Sequence, residues 1–181
     1  MPTKPTKTRK TGSSSRRADP RLSLTVQYAV DAAGLPKPAQ FRRWVRAALA
    51  GHTSTHAAVT LRIVGAVEGR QLNARYRRRR QATNVLSFVY DTMPSPRNSI
   101  ILCGDIVLCA PVIAREAREQ DKTPAAHYAH LTVHGMLHLQ GYDHQRDSDA
   151  NSMERLETAI LEHLGWPDPY ASAAIGARRK A

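Results

Sequence analysis

The sequence lacks the marks of several protein classes. No apolar run approaches the roughly 20 residues that a membrane-spanning helix needs, so no membrane segment is expected. The basic N-terminus has no apolar stretch behind it, so no secretory signal is expected. Pro2, Pro5 and Pro20, with no apolar face between them, argue against an amphipathic transit helix. Only two cysteines are present, Cys103 and Cys109, too few for a disulfide scaffold. They sit in an apolar stretch and read as reduced core residues of a cytoplasmic protein. Aromatic residues make up only 6%, so a base-stacking platform is not evident.

What remains suits one domain. Of 181 residues, 41% are hydrophobic, enough for a single buried core with tails beside it. The net charge is +12, but its distribution is uneven. Residues 1–21 carry seven basic side chains against Asp19 alone, and residues 171–181 add Arg178, Arg179 and Lys180. The stretch between them therefore holds only +3. Residues 1–21 are rich in Lys, Arg, Thr, Ser and Pro and cannot bury enough surface to offset the cost of ordering. They are expected to be disordered, either an arm for a polyanion such as RNA or a solubilising extension. The domain is expected over 22–170, with a second basic tail over 171–181.

Periodicity gives a coarse order of elements. Leu24, Val26, Tyr28 and Val30 alternate as a half-buried strand, as do Val59, Leu61 and Ile63. Asn84–Tyr90 and Ser99–Cys109 read as two further strands. Phe41, Trp44, Val45, Ala48 and Leu49 follow helical spacing, closed by Gly51. Short helices are expected over Glu68–Tyr76 and from Pro111 to about Gln120. Thr123 followed by Pro124 opens a helix that should run to Gln140 and stop at Gly141. Asp147 or Ser148 caps a last helix that should bury Met153, Leu156, Ile160 and Leu164 and stop at Gly165. The expected class is α+β, one domain with one sheet.

The strongest chemical signal is the string from His134 to His144. On a helix, His134 and His138 lie one turn apart on one face, and their imidazoles can converge on one ion. Gly141 frees the backbone to double back, and His144 then arrives as a third ligand. Three neutral imidazoles leave a coordination position open, the layout of a catalytic zinc site at the C-terminal end of a long helix. His130 lies one turn before His134, but roughly 12 Å along the axis from His138, so those two do not share an ion. Only the 134/138 pair is followed by the glycine turn and a further histidine. His130 is expected to support the site or line its cleft, and His127, His52, His56 and His163 are taken as ordinary surface or core residues. The spacing matches His-Glu-x-x-His-x-x-Gly-x-x-His of metzincin peptidases, but Gly135 stands where the general-base Glu would be. A substrate that brings its own nucleophile, such as RNA with its 2′-hydroxyl, fits better.

Arg75-Tyr76-Arg77-Arg78-Arg79-Arg80 is the densest charge run inside the domain. Guanidinium forks match phosphate oxygens, so Arg75, Arg78, Arg79 and Arg80 are expected to track an RNA backbone with little sequence preference.

The chain resembles the YbeY family of bacterial metal-dependent endoribonucleases, the rRNA maturation factors. The string His134-Gly-Met-Leu-His138-Leu-Gln-Gly141-Tyr-Asp-His144 fits the family motif. Leu72-Asn73 with Tyr76-Arg77, Thr83-Asn84-Val85-Leu86-Ser87-Phe88, and Gly104-Asp105-Ile106-Val107 follow in the family's order. Met153-Glu154, Leu156-Glu157 and Gly165-Trp166-Pro167-Asp168-Pro169-Tyr170 are similar too. The resemblance spans about Leu22 to Tyr170. It implies a mixed four-stranded sheet packed with helices, and one zinc ion per chain on His134, His138 and His144. It implies cleavage of single-stranded RNA, in 3′-end maturation of 16S rRNA on the small ribosomal subunit and in ribosome quality control. The family arginine falls on Arg77, which would face substrate phosphate. The family usually has Gly after Tyr-Arg; here Arg78 follows, which bears on the local turn.

The expected mechanism is metal-assisted phosphodiester cleavage. Arg77 would offset charge on the phosphate, and Asp143 would orient an imidazole, accept a proton or serve only as a turn residue. Two rivals stand beside it. One is a metzincin-like peptidase, against which Gly135 speaks. The other is a non-catalytic ribosome-binding factor with a structural metal, which needs a fourth ligand from Cys103, Cys109 or Asp143.

Overall fold

The computed structural model describes residues 22–50, 55–90, 93–94, 100–142 and 147–171. Asp143 and His144, and the basic tails apart from Ala171, lie outside the described residues. The strands are β1 (Leu22–Tyr28), β2 (Thr55–Val64), β3 (Val85–Val89), β4 (Met93–Pro94) and β5 (Ile100–Cys109). The helices are α1 (Pro38–Leu49), α2 (Ala66–Arg77), α3 (Ala110–Glu119), α4 (Pro124–Leu139) and α5 (Asp147–His163). The main sheet has the order β1-β2-β5-β3, with β4 pairing the start of β5. β1 runs parallel to β2 and β2 parallel to β5, while β3 is antiparallel to β5 with Ser87 opposite Ile106. The expected α+β domain with a mixed four-stranded sheet is therefore what the chain adopts. The added β4 is too short for a periodic signal.

Side chains alternate across a strand, and this splits the core in two. Leu102, Ile106 and Leu108 of β5 face α1, α4 and α5 in the larger cluster. Val107 and Cys109 face the opposite way, where Leu72 of α2 joins them with Leu86 and Phe88 of β3. Phe41 and Trp44 of α1 meet edge to face at 5.2 Å, and Phe41 meets Tyr128 of α4 at 6.1 Å.

Helix α4 is the central element. Ala129, Leu131, Val133, Met136, Leu137 and Leu139 are all buried, so burial rather than amphipathicity holds it. The Thr123 hydroxyl caps it by accepting from the Ala126 N–H at 3.2 Å. At its end Gly141 takes φ +90°. The Gly141 N–H donates to the His138 carbonyl at 3.0 Å and the Tyr142 N–H to that of Leu137 at 3.1 Å, which closes the helix as the sequence predicts.

The buried stripe of α5 differs from the expected one. Met153, Glu157, Leu161 and Leu164 are buried, whereas Leu156 and Ile160 sit half-buried at its flank. The helix is rolled so that a carboxylate, Glu157, points inward with no exposed surface. Hydrogen bonds from His130, His134 and Tyr170 make that tolerable.

Candidate metal centre

His134 and His138 occupy the same face of α4, turned toward α5. Their rings stand 4.6 Å apart at a near-perpendicular angle, and their Nε2 atoms are 3.1 Å apart. His134 and His130 are further separated, at 6.3 Å between centroids. The structure thus pairs 134 with 138 more closely than with 130.

Glu157 sets the chemistry of this face. Its Oε1 lies 2.7 Å from Nδ1 of His134, and its Oε2 lies 3.1 Å from Nε2 of His130. The Tyr170 hydroxyl donates to Oε2 as well. Burial raises the carboxyl pKa, but hydrogen bonds from His130, His134 and Tyr170 outweigh it and bring it down to about 2. The Tyr170 phenol is pushed up by burial and by the carboxylate it serves. An ionised carboxylate can only accept, so Nδ1 of His134 carries the proton. In the neutral ring Nε2 then holds a lone pair, directed toward His138. A carboxylate fixing the tautomer of an imidazole in this way is the arrangement found behind metal-ligating histidines.

The donor set suits a zinc ion. Two nitrogens bound at about 2.0–2.1 Å near the tetrahedral angle stand about 3.3 Å apart. The 3.1 Å between the two Nε2 atoms differs from that by a few tenths of an ångström. Among the described residues no group of three ligating side chains occurs, and His144 and Asp143 lie outside them.

Gly135 faces the sheet, away from the histidines. A Cβ there would come within 3.0 Å of two Ile106 side-chain carbons and 3.2 Å of the Ser87 hydroxyl. A glutamate at this position has no room and points the wrong way, which removes the general base that a peptidase of this spacing uses. Neither cysteine supports a closed structural site. Cys109 is buried on the α2 side with its thiol 3.8 Å from the Gly65 carbonyl, and burial raises its pKa. Strand alternation puts Cys103 on that same side.

A second buried network braces α4 from α3. His127, almost fully buried, lies with Nε2 at 2.8 Å from Glu116 Oε2, which also accepts from Asn84 Nδ2 at 2.9 Å. Desolvation lowers the His127 pKa, partly offset by Glu116. This partnership gives the Asn84 of the Thr83–Phe88 string a role that spacing alone does not disclose.

The arginine run lies at the end of α2 and in the segment after it. Arg75 and Arg77 are exposed in the last turn of α2, on the sheet face opposite α4, and Arg78, Arg79 and Arg80 follow, exposed as well. Arg78 takes φ 55°, the left-handed conformation that favours glycine. The N–H groups of Arg78 and Arg79 reach back to the Asn73 carbonyl, and the buried Asn73 side chain donates to the Gln81 carbonyl. Arg70, Arg80 and Arg115 line an open cleft of about 550 Å³ between α2 and α3. Glu157 and Tyr170 stand in strings that resemble the family, but the sequence reading gives neither a role at the site. The signal for Glu157 is a carboxylate set within the apolar stripe of a helix.

Comparison with known proteins agrees with the motifs. The family profile described as Endoribonuclease YbeY matches residues 31–165. Endoribonuclease YbeY of Laribacter hongkongensis is 54% identical over 156 residues, covering 86% of this chain and 93% of that protein. Endoribonuclease YbeY of Nitrosomonas europaea is 56% identical over 149 residues, covering 82% of this chain and 85% of that protein. A Thermotoga maritima protein of known solution structure shares the fold at a TM-score of 0.52 and 18% identity, over 78% of this chain and 91% of its own. With the family profile matched over residues 31–165 and relatives more than half identical along most of their length, the chain belongs to the endoribonuclease YbeY family.

Proposed function

We propose that this chain is a zinc-dependent endoribonuclease that cuts single-stranded RNA in the cytoplasm, in 3′-end maturation of 16S rRNA on the small ribosomal subunit and in ribosome quality control. The observation that supports it most directly is the His134–His138 pair, with its Nε2 atoms 3.1 Å apart and its tautomer set by Glu157. His134, His138 and His144 would hold the ion. A bound zinc ion supplies Lewis acidity toward a phosphoryl oxygen and a nucleophile at neutral pH. The chain's own residues do the rest. Glu157 keeps His134 protonated at Nδ1 and turned toward its partner. Arg77 offsets charge gathering on the phosphate. Asp143 orients an imidazole or takes a proton. Arg75, Arg78, Arg79 and Arg80 hold the RNA backbone.

The deciding experiment incubates the purified chain with structured and unstructured RNA, with and without chelator, beside a His134→Ala control. The reading expects cleavage of unstructured RNA that chelator and His134→Ala both abolish. Cleavage that persists in the His134→Ala protein would overturn it.

A further inference from the structure

The exposed aromatic residues tell against the low aromatic content. The chain has ten Phe, Tyr and Trp residues, and just two of them are exposed, Tyr76 at 54% and Tyr90 at 50%. Both stand on one face. Strand β3 sends Leu86 and Phe88 to the α2 side, and Tyr90 follows in the same alternation about 7 Å beyond Phe88. Tyr76 packs on Phe88 with ring centroids 4.8 Å apart. Phe88 therefore packs against Tyr76 on the face that Tyr90 also shares.

Each ring has a fixed neighbour. Tyr76 meets Phe88 edge to face, with the Arg75 guanidinium carbon 5.5 Å from its centroid. Tyr90 donates its hydroxyl to Asp105 Oδ2 at 2.6 Å. That bond and burial raise the phenol pKa, so the hydroxyl stays protonated and tethered at neutral pH. Rings fixed in place lose little entropy when something stacks on them. Arg77 and the exposed Arg78, Arg79 and Arg80 continue directly from Tyr76. This is the combination that binds single strands: positive charge for the backbone and ring faces for the bases.

We infer that Tyr76, backed by Phe88, and Tyr90, tethered by Asp105, form a stacking platform for unpaired RNA bases, with the neighbouring arginines taking the phosphates. The inference rests on the ribonuclease reading above and adds how unpaired RNA is told from duplex. In a duplex the bases are stacked on one another and present no free face, so only an unpaired segment can use the rings. Arg75, itself exposed, is the group that yields its place over Tyr76 to a base.

The test uses the full chain with chelator present to stop turnover. Binding of a labelled 12-nucleotide single-stranded RNA is compared with an abasic ribose-phosphate chain of the same length, and stacking is read from 2-aminopurine fluorescence. The expected result is that wild type prefers the base-bearing RNA and quenches 2-aminopurine. Tyr76→Leu and Tyr90→Leu should each weaken that RNA by about tenfold and leave the abasic chain unchanged. Tyr90→Phe, which keeps the ring, should stay within about twofold of wild type. Equal affinity of wild type for both chains, or leucine variants that match wild type in affinity and quenching, overturns the platform while leaving the ribonuclease reading intact. Loss of binding to a ribosomal protein, with RNA affinity unchanged, shows a protein-docking patch and overturns it too. If wild type binds neither chain, the ribonuclease reading fails with it.

Discussion

Replacing Glu157 with Ala removes the acceptor for three donors at once. In the fold its carboxylate is wholly buried and takes bonds from His134, His130 and Tyr170. Truncation leaves those three neutral donors without their acceptor, and at about 1–3 kcal/mol for each the loss is at least about 3 kcal/mol. For a chain of this size each kcal/mol lowers the melting temperature by about 2–4 °C, so a fall of at least about 6 °C is expected. Glu157→Gln should do much less. Its carbonyl can still accept from His134, and its amide needs one acceptor on the other side. His130 can provide that by reversing its tautomer, because its Nδ1 is buried with no hydrogen-bond partner among the described residues. Calorimetry of the metal-free proteins gives the stability. Nitrogen-15 shifts of the imidazoles give the tautomer, which should remain Nδ1–H at His134 in the Gln protein and become mixed in the Ala protein. On the zinc reading, affinity should fall by about 10–100-fold in Glu157→Ala and by less in Glu157→Gln. A Glu157→Ala protein that melts within about 2 °C of wild type and keeps a single His134 tautomer would refute the reasoning.

Four other outcomes follow from particular contacts. Burial keeps His127 neutral and its pKa below the unfolded value of about 6.5. The unfolded chain thus binds the proton first, and the stability this residue gives is complete above about pH 6.5 and is lost as pH falls below it. Urea midpoints should accordingly fall more for wild type than for His127→Gln between pH 7.5 and 5.5. Arg78→Gly relieves a left-handed residue and should stabilise by about 0.5–1 kcal/mol, while lowering the salt slope of single-strand RNA binding by about 0.7. Arg77→Ala should cut RNA turnover and leave zinc content unchanged, as metal analysis beside the activity assay will show. Gly135→Ala presses a methyl against Ile106 and should lower the melting temperature by about 2–12 °C, with overpacking at about 1–3 kcal/mol.

Helix α4 is legible because its signals are local. Thr123 and Pro124 mark its start, Gly141 marks its end, and four-residue spacing puts His134 and His138 on one face. What spacing could not supply is the partner across the fold. Glu157 is 23 residues from His134, and only the packing of α5 on α4 brings them together. Reading α5 by apolar content alone selects Leu156 and Ile160, since a carboxylate does not score as a core residue. Two histidines and a tyrosine make its burial favourable, and they roll the helix about one residue from the expected stripe. The platform on the α2 face was hidden for a similar reason. Aromatic content is a count, whereas a surface depends on which few rings the strands leave uncovered. The sheet order too rests on parallel crossovers that no local pattern encodes.

The two sides of α4 act together on the nitrogen positions. An imidazole tip stands roughly 5–6 Å from the helix axis, so a roll of 20° moves it by about 2 Å. A shift of that size takes a ligand out of bonding range, where distances must hold to about 0.2 Å. Roll is limited on the sheet side by Gly135, whose missing side chain lets the backbone settle against Ile106 and Ser87. It is limited again near the last turn, where a Cβ on Gly104 would lie 2.6 Å from a Leu139 methyl carbon. On the far side Glu157 grips His134 at 2.7 Å. The glycines set how closely the helix approaches the sheet and the carboxylate sets how it is turned. The 3.1 Å between the two Nε2 atoms is thus a product of core packing, and residues that never touch an ion help decide whether one can be held.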